Sequence, residues 1–199
     1  PTGIPIYGGA AFVASMRSFS ARMPWRSLVA SWNVLSSHDT ARIRTIVGSH
    51  GRHVAAVALQ MTLPGVPMVF SGDELGMEGR WGEESRRPYP WHEEAQWDAA
   101  IMRTYASLAA LRQESLALAH GGLRWVFISD DAVAFLRETA DDRMLMVVTR
   151  SAQDPLHIDL TELLVPAVTR RARVAAQVGD GCGHGAARDA GAGGWRRGG

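Results

Sequence analysis

The chain of 199 residues contains no lysine; all 21 of its Lys/Arg positions are arginine. Against 20 Asp and Glu residues this leaves a formal net charge of +1. A balance so near zero gives no pull toward nucleic acid or an anionic membrane, and neither is expected as a partner. The arginines are scattered, and alanine and glycine are abundant too, so GC-rich coding explains the bias better than surface recognition. Only one cysteine is present, Cys182, which excludes an internal disulfide. Cys182 and His184 fall short of the four ligands of a structural zinc site, and no metal or other cofactor is expected. No apolar run reaches the roughly 18 residues that cross a bilayer. The segment after Pro1 lacks a charged-then-apolar leader pattern, and a cytoplasmic location is the expectation. Gly8-Gly9 is not followed by the Gly-Lys-Ser/Thr of a phosphate loop. There is no Gly-x-Ser-x-Gly nucleophile elbow and no internal repeat.

What is there reads as a folded chain, with 46% apolar residues. Ala10 to Phe19 has helical spacing, with Ala11, Phe12, Ser15 and Phe19 near one face. Trp32 to Leu35 reads as a short strand, followed by Ser36-Ser37-His38-Asp39-Thr40-Ala41-Arg42. Either Thr40 or Ser49 is placed to cap the next helix. Over 52–62, Val54, Val57, Ala58 and Met61 fall at i, i+3, i+4 and i+7, and Pro64-Gly65 ends that helix. Val66 to Phe70 is apolar on both faces, as a covered parallel strand is. A long polar loop, 72–91, leads to a helix predicted over 93–114, with Ile101, Tyr105, Leu108 and Leu111 on one stripe. Beyond Gly121-Gly122 the period becomes that of strands: 123–129, 132–138, 143–150 and 156–160, with Asp130-Asp131 and Asp141-Asp142 at turns. From Pro166 the composition shifts to Gly, Ala and Arg. A poorly ordered tail is expected there, and translation in a shifted frame is the sharper alternative.

Strand, polar loop, helix, strand, polar loop is the order of an α/β barrel, whose chemistry sits at the C-terminal ends of its strands. A complete (β/α)8 barrel needs about 250 residues. The expected fold is therefore α/β: the last two strand–helix units of a barrel over 1–120, then an incomplete antiparallel β-sandwich module over 121–165, then the tail over 166–199.

Three segments together resemble the C-terminal part of the α-amylase superfamily, glycoside hydrolase family 13, nearest its neopullulanase, cyclomaltodextrinase and maltogenic amylase group. Asn33 to Arg42 is similar to the segment ending the seventh barrel strand. Pro64 to Gly76 is similar to the eighth strand and its Gly-Asp-Glu exit. Arg87-Pro88-Tyr89-Pro90-Trp91 resembles the approach to the last barrel helix. Two positions depart: Ser37 stands where much of the superfamily has Asn, and His92 where many relatives have Asp.

Retaining glycoside hydrolysis needs two carboxyl groups about 5–5.5 Å apart, one as nucleophile and one as acid/base. The resemblance implies that both come from the fourth and fifth strands, upstream of this chain, so the isolated chain is expected to be inactive. It assigns Asp39 as the third carboxylate, stabilising the oxocarbenium-like transition state through ring hydroxyls. His38, Arg42, Trp81 and Arg87 are the expected contacts to an α-glucan oligosaccharide. Each has a plainer alternative. Arg42 is equally placed to reach a neighbouring barrel carboxylate or to decorate the next helix, and Arg87 to pair with Glu83 or Glu84. Trp81, Trp91 and Trp97 are as consistent with packing as with sugar platforms. For Asp73 and Glu74, capping of their own loop is favoured over facing sugar. The implied parent cleaves α-1,4 or α-1,6 glucosidic bonds in maltooligosaccharides, cyclodextrins or pullulan, with homodimerisation left open. The alternatives are a glucosyltransferase or isomerase fragment of the same superfamily, and a non-catalytic remnant with weak sugar binding.

Overall fold

The computed structural model describes residues 6–152 together with Asp154, Leu156 and Ile158. The expected fourth strand at 156–160 falls largely outside the described residues, and the tail lies wholly outside them. In order, the elements are α1 (Gly9–Ser20), α2 (Trp25–Val29), β1 (Trp32–Val34), α3 (Ile43–Val47), α4 (His50–Thr62), β2 (Val66–Met68), α5 (Ala99–Glu114), α6 (Leu116–His120), β3 (Gly122–Ile128), β4 (Ala132–Glu138) and β5 (Arg143–Thr149). Three short 3-10 turns, 73–75, 82–84 and 94–96, punctuate the long loop after β2.

β1 and β2 pair in parallel, with Trp32 opposite Val66 and Val34 opposite Met68. The connection between them carries α4, as parallel pairing requires. Ser49 caps α4 by accepting the Arg52 N–H at 3.3 Å. Val54, Val57, Ala58 and Met61 are all buried along it, as their spacing predicts. Two amides fix α4 under the sheet. Gln60 Nε2 donates to the Asn33 and Met68 carbonyls at 3.1 and 2.8 Å. Asn33 Nδ2 donates back to the Gln60 carbonyl at 3.2 Å. Arg112 from α5 donates to the Met61, Leu63 and Gly65 carbonyls, satisfying acceptors at and just beyond the C-terminus of α4.

The helix predicted over 93–114 begins later, at Ala99, because Asp98 is its N-cap. The Asp98 carboxylate accepts from the Ala100 and Ile101 N–H groups, both at 3.1 Å. In α1 the buried face is rotated from the expected one: Gly9 and Val13 are buried, while Ala11, Ser15 and Phe19 are exposed. The sheet of β3–β5 decides this. Phe12 meets Trp125 edge-on with ring centroids 6.0 Å apart, and Gly9 donates to the Ser129 carbonyl at 3.1 Å.

β3, β4 and β5 form an antiparallel sheet in sequence order. One core joins it to the helices, with Val13, Val57, Met61, Ile101, Leu108, Phe135 and Val148 in a single cluster. The boundary expected near Gly121 is thus crossed by continuous packing. It is also crossed by Arg137, fully buried, which donates to the Thr62, Gly121 and Gly122 carbonyls. Among the described residues no helix is long and apolar enough to cross a membrane.

Candidate functional site

Because β1 and β2 are parallel, the loops that leave them emerge at the same end of the sheet. Buried hydrogen bonds tie these loops together. Arg42 is 1% exposed and its partner Asp73 is 2% exposed. Arg42 Nη1 lies 3.0 Å from Asp73 Oδ1 and also donates to the Ser71 carbonyl at 3.0 Å. Its Nε donates to the Ser85 carbonyl at 3.0 Å, and the guanidinium sits 4.3 Å from the Phe70 ring centroid. Ser36, buried beside it, donates its hydroxyl to the other Asp73 oxygen. Burial pushes the Asp73 carboxyl above its ordinary value, while Ser36 and Arg42 pull it back. The expectation of Arg42 as a sugar contact is therefore corrected: it faces inward and joins both strand exits to the long loop. Asp73 is structural as well, but through Arg42 and Ser36 in place of the expected capping of its own loop, whereas Glu74 does accept the Gly72 N–H at 2.8 Å within its own turn.

The backbone of 79–85 approaches this hub closely. The Gly79 carbonyl accepts the Arg42 N–H at 2.8 Å, and the Gly79 N–H donates to Thr45 Oγ1 at 2.8 Å. A Cβ on Gly79 would lie 2.6 Å from Ser85 Cα, so only glycine fits.

Above this buried layer the His38-Asp39 pair stands in the open, with side chains 67% and 70% exposed. A local turn presents it. Ser37 N–H donates to Thr40 Oγ1 at 2.8 Å, Thr40 N–H to the Ser37 carbonyl at 3.1 Å, and Asp39 N–H to Ser37 Oγ at 3.3 Å. Thr40 thus closes the loop, while Ser49 is the helix cap. His38 Nε2 lies 3.3 Å from Asp39 Oδ2. The other Asp39 oxygen, Oδ1, receives Arg86 Nη2 at 3.2 Å, and Arg86 Nε donates to the His38 carbonyl at 2.8 Å. The Arg86–Asp39 contact spans 47 positions in sequence, and no spacing signal distinguishes Arg86 from Arg87 beside it.

Arg87 is exposed and bonds loop carbonyls, those of Glu84 at 3.1 Å and of Glu78, in place of the Glu83 or Glu84 carboxylates. Trp81 and Trp91 are 77% and 70% exposed. Trp97 is half-buried and donates Nε1 to the Pro90 carbonyl at 3.0 Å. The structure thus groups His38, Asp39 and Arg86. Trp81 and Arg87 belong to the same loop as Arg86 but make no bond to the pair. Chemically, the group offers an exposed carboxylate and an imidazole that can exchange hydrogen bonds with vicinal hydroxyls. Among the described residues, no group of three or more His, Cys, Asp or Glu side chains is arranged to hold a metal ion.

Residues 9–108 match the alpha amylase catalytic-domain family. The chain is 33% identical over 138 residues to neopullulanase 2 of Thermoactinomyces vulgaris, covering 67% of this chain and 23% of that protein. It is 32% identical over 123 residues to a cyclomaltodextrinase of Thermoanaerobacter pseudethanolicus, covering 61% and 21%. The structure superposes with TM-score 0.69 on the cyclic alpha-maltosyl-(1→6)-maltose hydrolase of Arthrobacter globiformis, at 29% identity, covering 73% of this chain and 33% of that one. The chain spans between 10% and 23% of the length of the curated relatives compared. With these matches, and with the expected motifs carried on adjoining parallel strands, the chain belongs to the alpha-amylase family of glycoside hydrolases, glycoside hydrolase family 13.

Proposed function

We propose that this chain supplies the transition-state-stabilising side of a retaining α-glucan hydrolase that cleaves α-1,4 or α-1,6 glucosidic bonds. β1 and β2 are read as the seventh and eighth strands of a (β/α)8 barrel, and β3–β5 as part of a C-terminal β-sandwich. The observation that carries the reading is the exposed His38-Asp39 pair, held at the end of a parallel strand by the buried Arg42–Asp73 link to the next strand's exit. The open apolar side chains of the small sheet also support it. Trp32 is 70% exposed and Val66 45%, as strands awaiting neighbours would be.

Asp39 accepts hydrogen bonds from hydroxyls beside the anomeric carbon. Those bonds strengthen as positive charge develops on the ring, so they lower the barrier more than they tighten ground-state binding. His38 donates to a neighbouring hydroxyl and orients the ring. The nucleophile and acid/base come from other strands of the barrel.

The test combines the chain with a polypeptide carrying the first six barrel strands of a relative and follows cleavage of p-nitrophenyl maltoside. Turnover is expected, and Asp39→Asn lowers it about 10²–10³-fold, as loss of one stabilising group does. A combined protein that binds maltotriose without cleaving it leaves only a sugar-binding role. One that does neither overturns the reading.

A further inference from the structure

We propose that Arg86 is the positioning residue of Asp39, setting its carboxylate through a two-point clamp; this rests on the reading of Asp39 as a sugar-facing group. A lone contact between exposed side chains would orient little, since such pairs are weak and mobile. Here the guanidinium is fixed twice. Nε donates to the His38 carbonyl at 2.8 Å, which ties the arm to the loop backbone. Nη2 then meets Asp39 Oδ1 at 3.2 Å, while His38 Nε2 lies 3.3 Å from Oδ2. With Oδ1 held by a guanidinium that is itself tied to the backbone, rotation of the carboxylate about χ2 is restricted. Its remaining lone pairs stay open to hydroxyl donors.

The base of the clamp is rigid for a separate reason. The residue before Arg86 is Ser85, fully buried, whose carbonyl accepts Arg42 Nε at 3.0 Å and whose hydroxyl donates to the Gly82 carbonyl at 3.1 Å. The buried ion pair therefore fixes where Arg86 starts, and the exposed arm fixes where Asp39 points. A lysine at position 86 keeps the charge but lacks the planar fork that makes both bonds at once.

The experiment uses the full chain, Arg86→Met, Arg86→Lys, Asp39→Asn and the Arg86→Met/Asp39→Asn pair, with maltotriose as probe. The first readout is amide order from ¹⁵N relaxation. Order parameters of His38 and Asp39 fall in Arg86→Met and in Arg86→Lys while those of Phe135 in the core hold; unchanged values at 38 and 39 overturn the clamp. The second is maltotriose affinity, read by NMR titration. Arg86→Met weakens it by up to about five-fold, the range of an exposed ion pair. That loss disappears in the Asp39→Asn background, because the arginine acts through the carboxylate. A loss that persists in that background makes Arg86 a direct sugar ligand and overturns the proposal. The titration is made on the chain combined with the first six barrel strands of a relative; if that parent protein binds no maltotriose, the sugar-facing reading of Asp39 falls, and amide order alone decides the clamp.

Discussion

Arg42→Met removes one half of the buried pair that joins the two strand exits. Its methylene stem is nearly matched, so the loss is electrostatic more than steric. Three hydrogen bonds of 3.0 Å disappear, to Asp73 Oδ1 and to the Ser71 and Ser85 carbonyls, together with the contact over Phe70. What remains is a carboxylate 2% exposed with Ser36 as its side-chain donor. Breaking a buried ion pair from one side costs about 3–5 kcal/mol, and we expect about 4 at pH 7.

The pH dependence identifies the source. Burial already raises the Asp73 carboxyl above 3.8, and without Arg42 it rises further. A carboxyl raised on folding contributes its stability below the unfolded value, and that contribution is lost as pH rises through the folded value. The Arg42→Met deficit therefore shrinks as pH falls from 7 toward 4, where Asp73 is increasingly neutral in the variant. Urea unfolding followed by far-ultraviolet circular dichroism at both pH values measures this. Matching midpoints for variant and parent at pH 7 would refute the buried-pair argument. A deficit that is the same at both pH values would show that Asp73 is not its source.

His53 is fully buried, both ring nitrogens lack a hydrogen-bond partner, and burial, aided by Arg44, lowers it from 6.5 to about 4. The unfolded chain takes up this proton first, so stability is full above pH 6.5 and is lost as pH falls toward 4. At about 1.4 kcal/mol per pH unit the loss is about 3 kcal/mol, and His53→Met should flatten the unfolding profile in that window. Gly79→Ala forces its Cβ to 2.6 Å from Ser85 Cα, so chemical-shift changes should concentrate at 79–87 and 38–39 while the β3–β5 sheet keeps its spectrum. Trp32→Thr with Val66→Thr should reduce aggregation of the isolated chain, measured by light scattering, because these side chains lie exposed on a two-stranded sheet; no change would place the aggregating surface elsewhere.

Much of this architecture follows from local order along the chain. The period of Val54, Val57, Ala58 and Met61 defines a helix because side chains i, i+3, i+4 and i+7 share a face whatever lies opposite. Alternation and Asp-rich turns place β3, β4 and β5 within a residue or two, since the pleat and the turn are set by neighbours in sequence. The His38-Asp39 loop is also shaped by immediate neighbours, Ser37 and Thr40, although Thr40 reads equally well in sequence as a helix cap, since one hydroxyl can serve either turn or helix.

Only the tertiary structure decided which charges are hidden. Arg42 and Arg86 are equally polar as letters, yet one is buried on Asp73 and the other reaches over to Asp39, contacts that span 31 and 47 positions. The rotated face of α1 and the burial of His53 and Arg137 belong to the same class. Each depends on what a distant element presents after packing, and a chain's own periodicity holds no record of the surface it will meet.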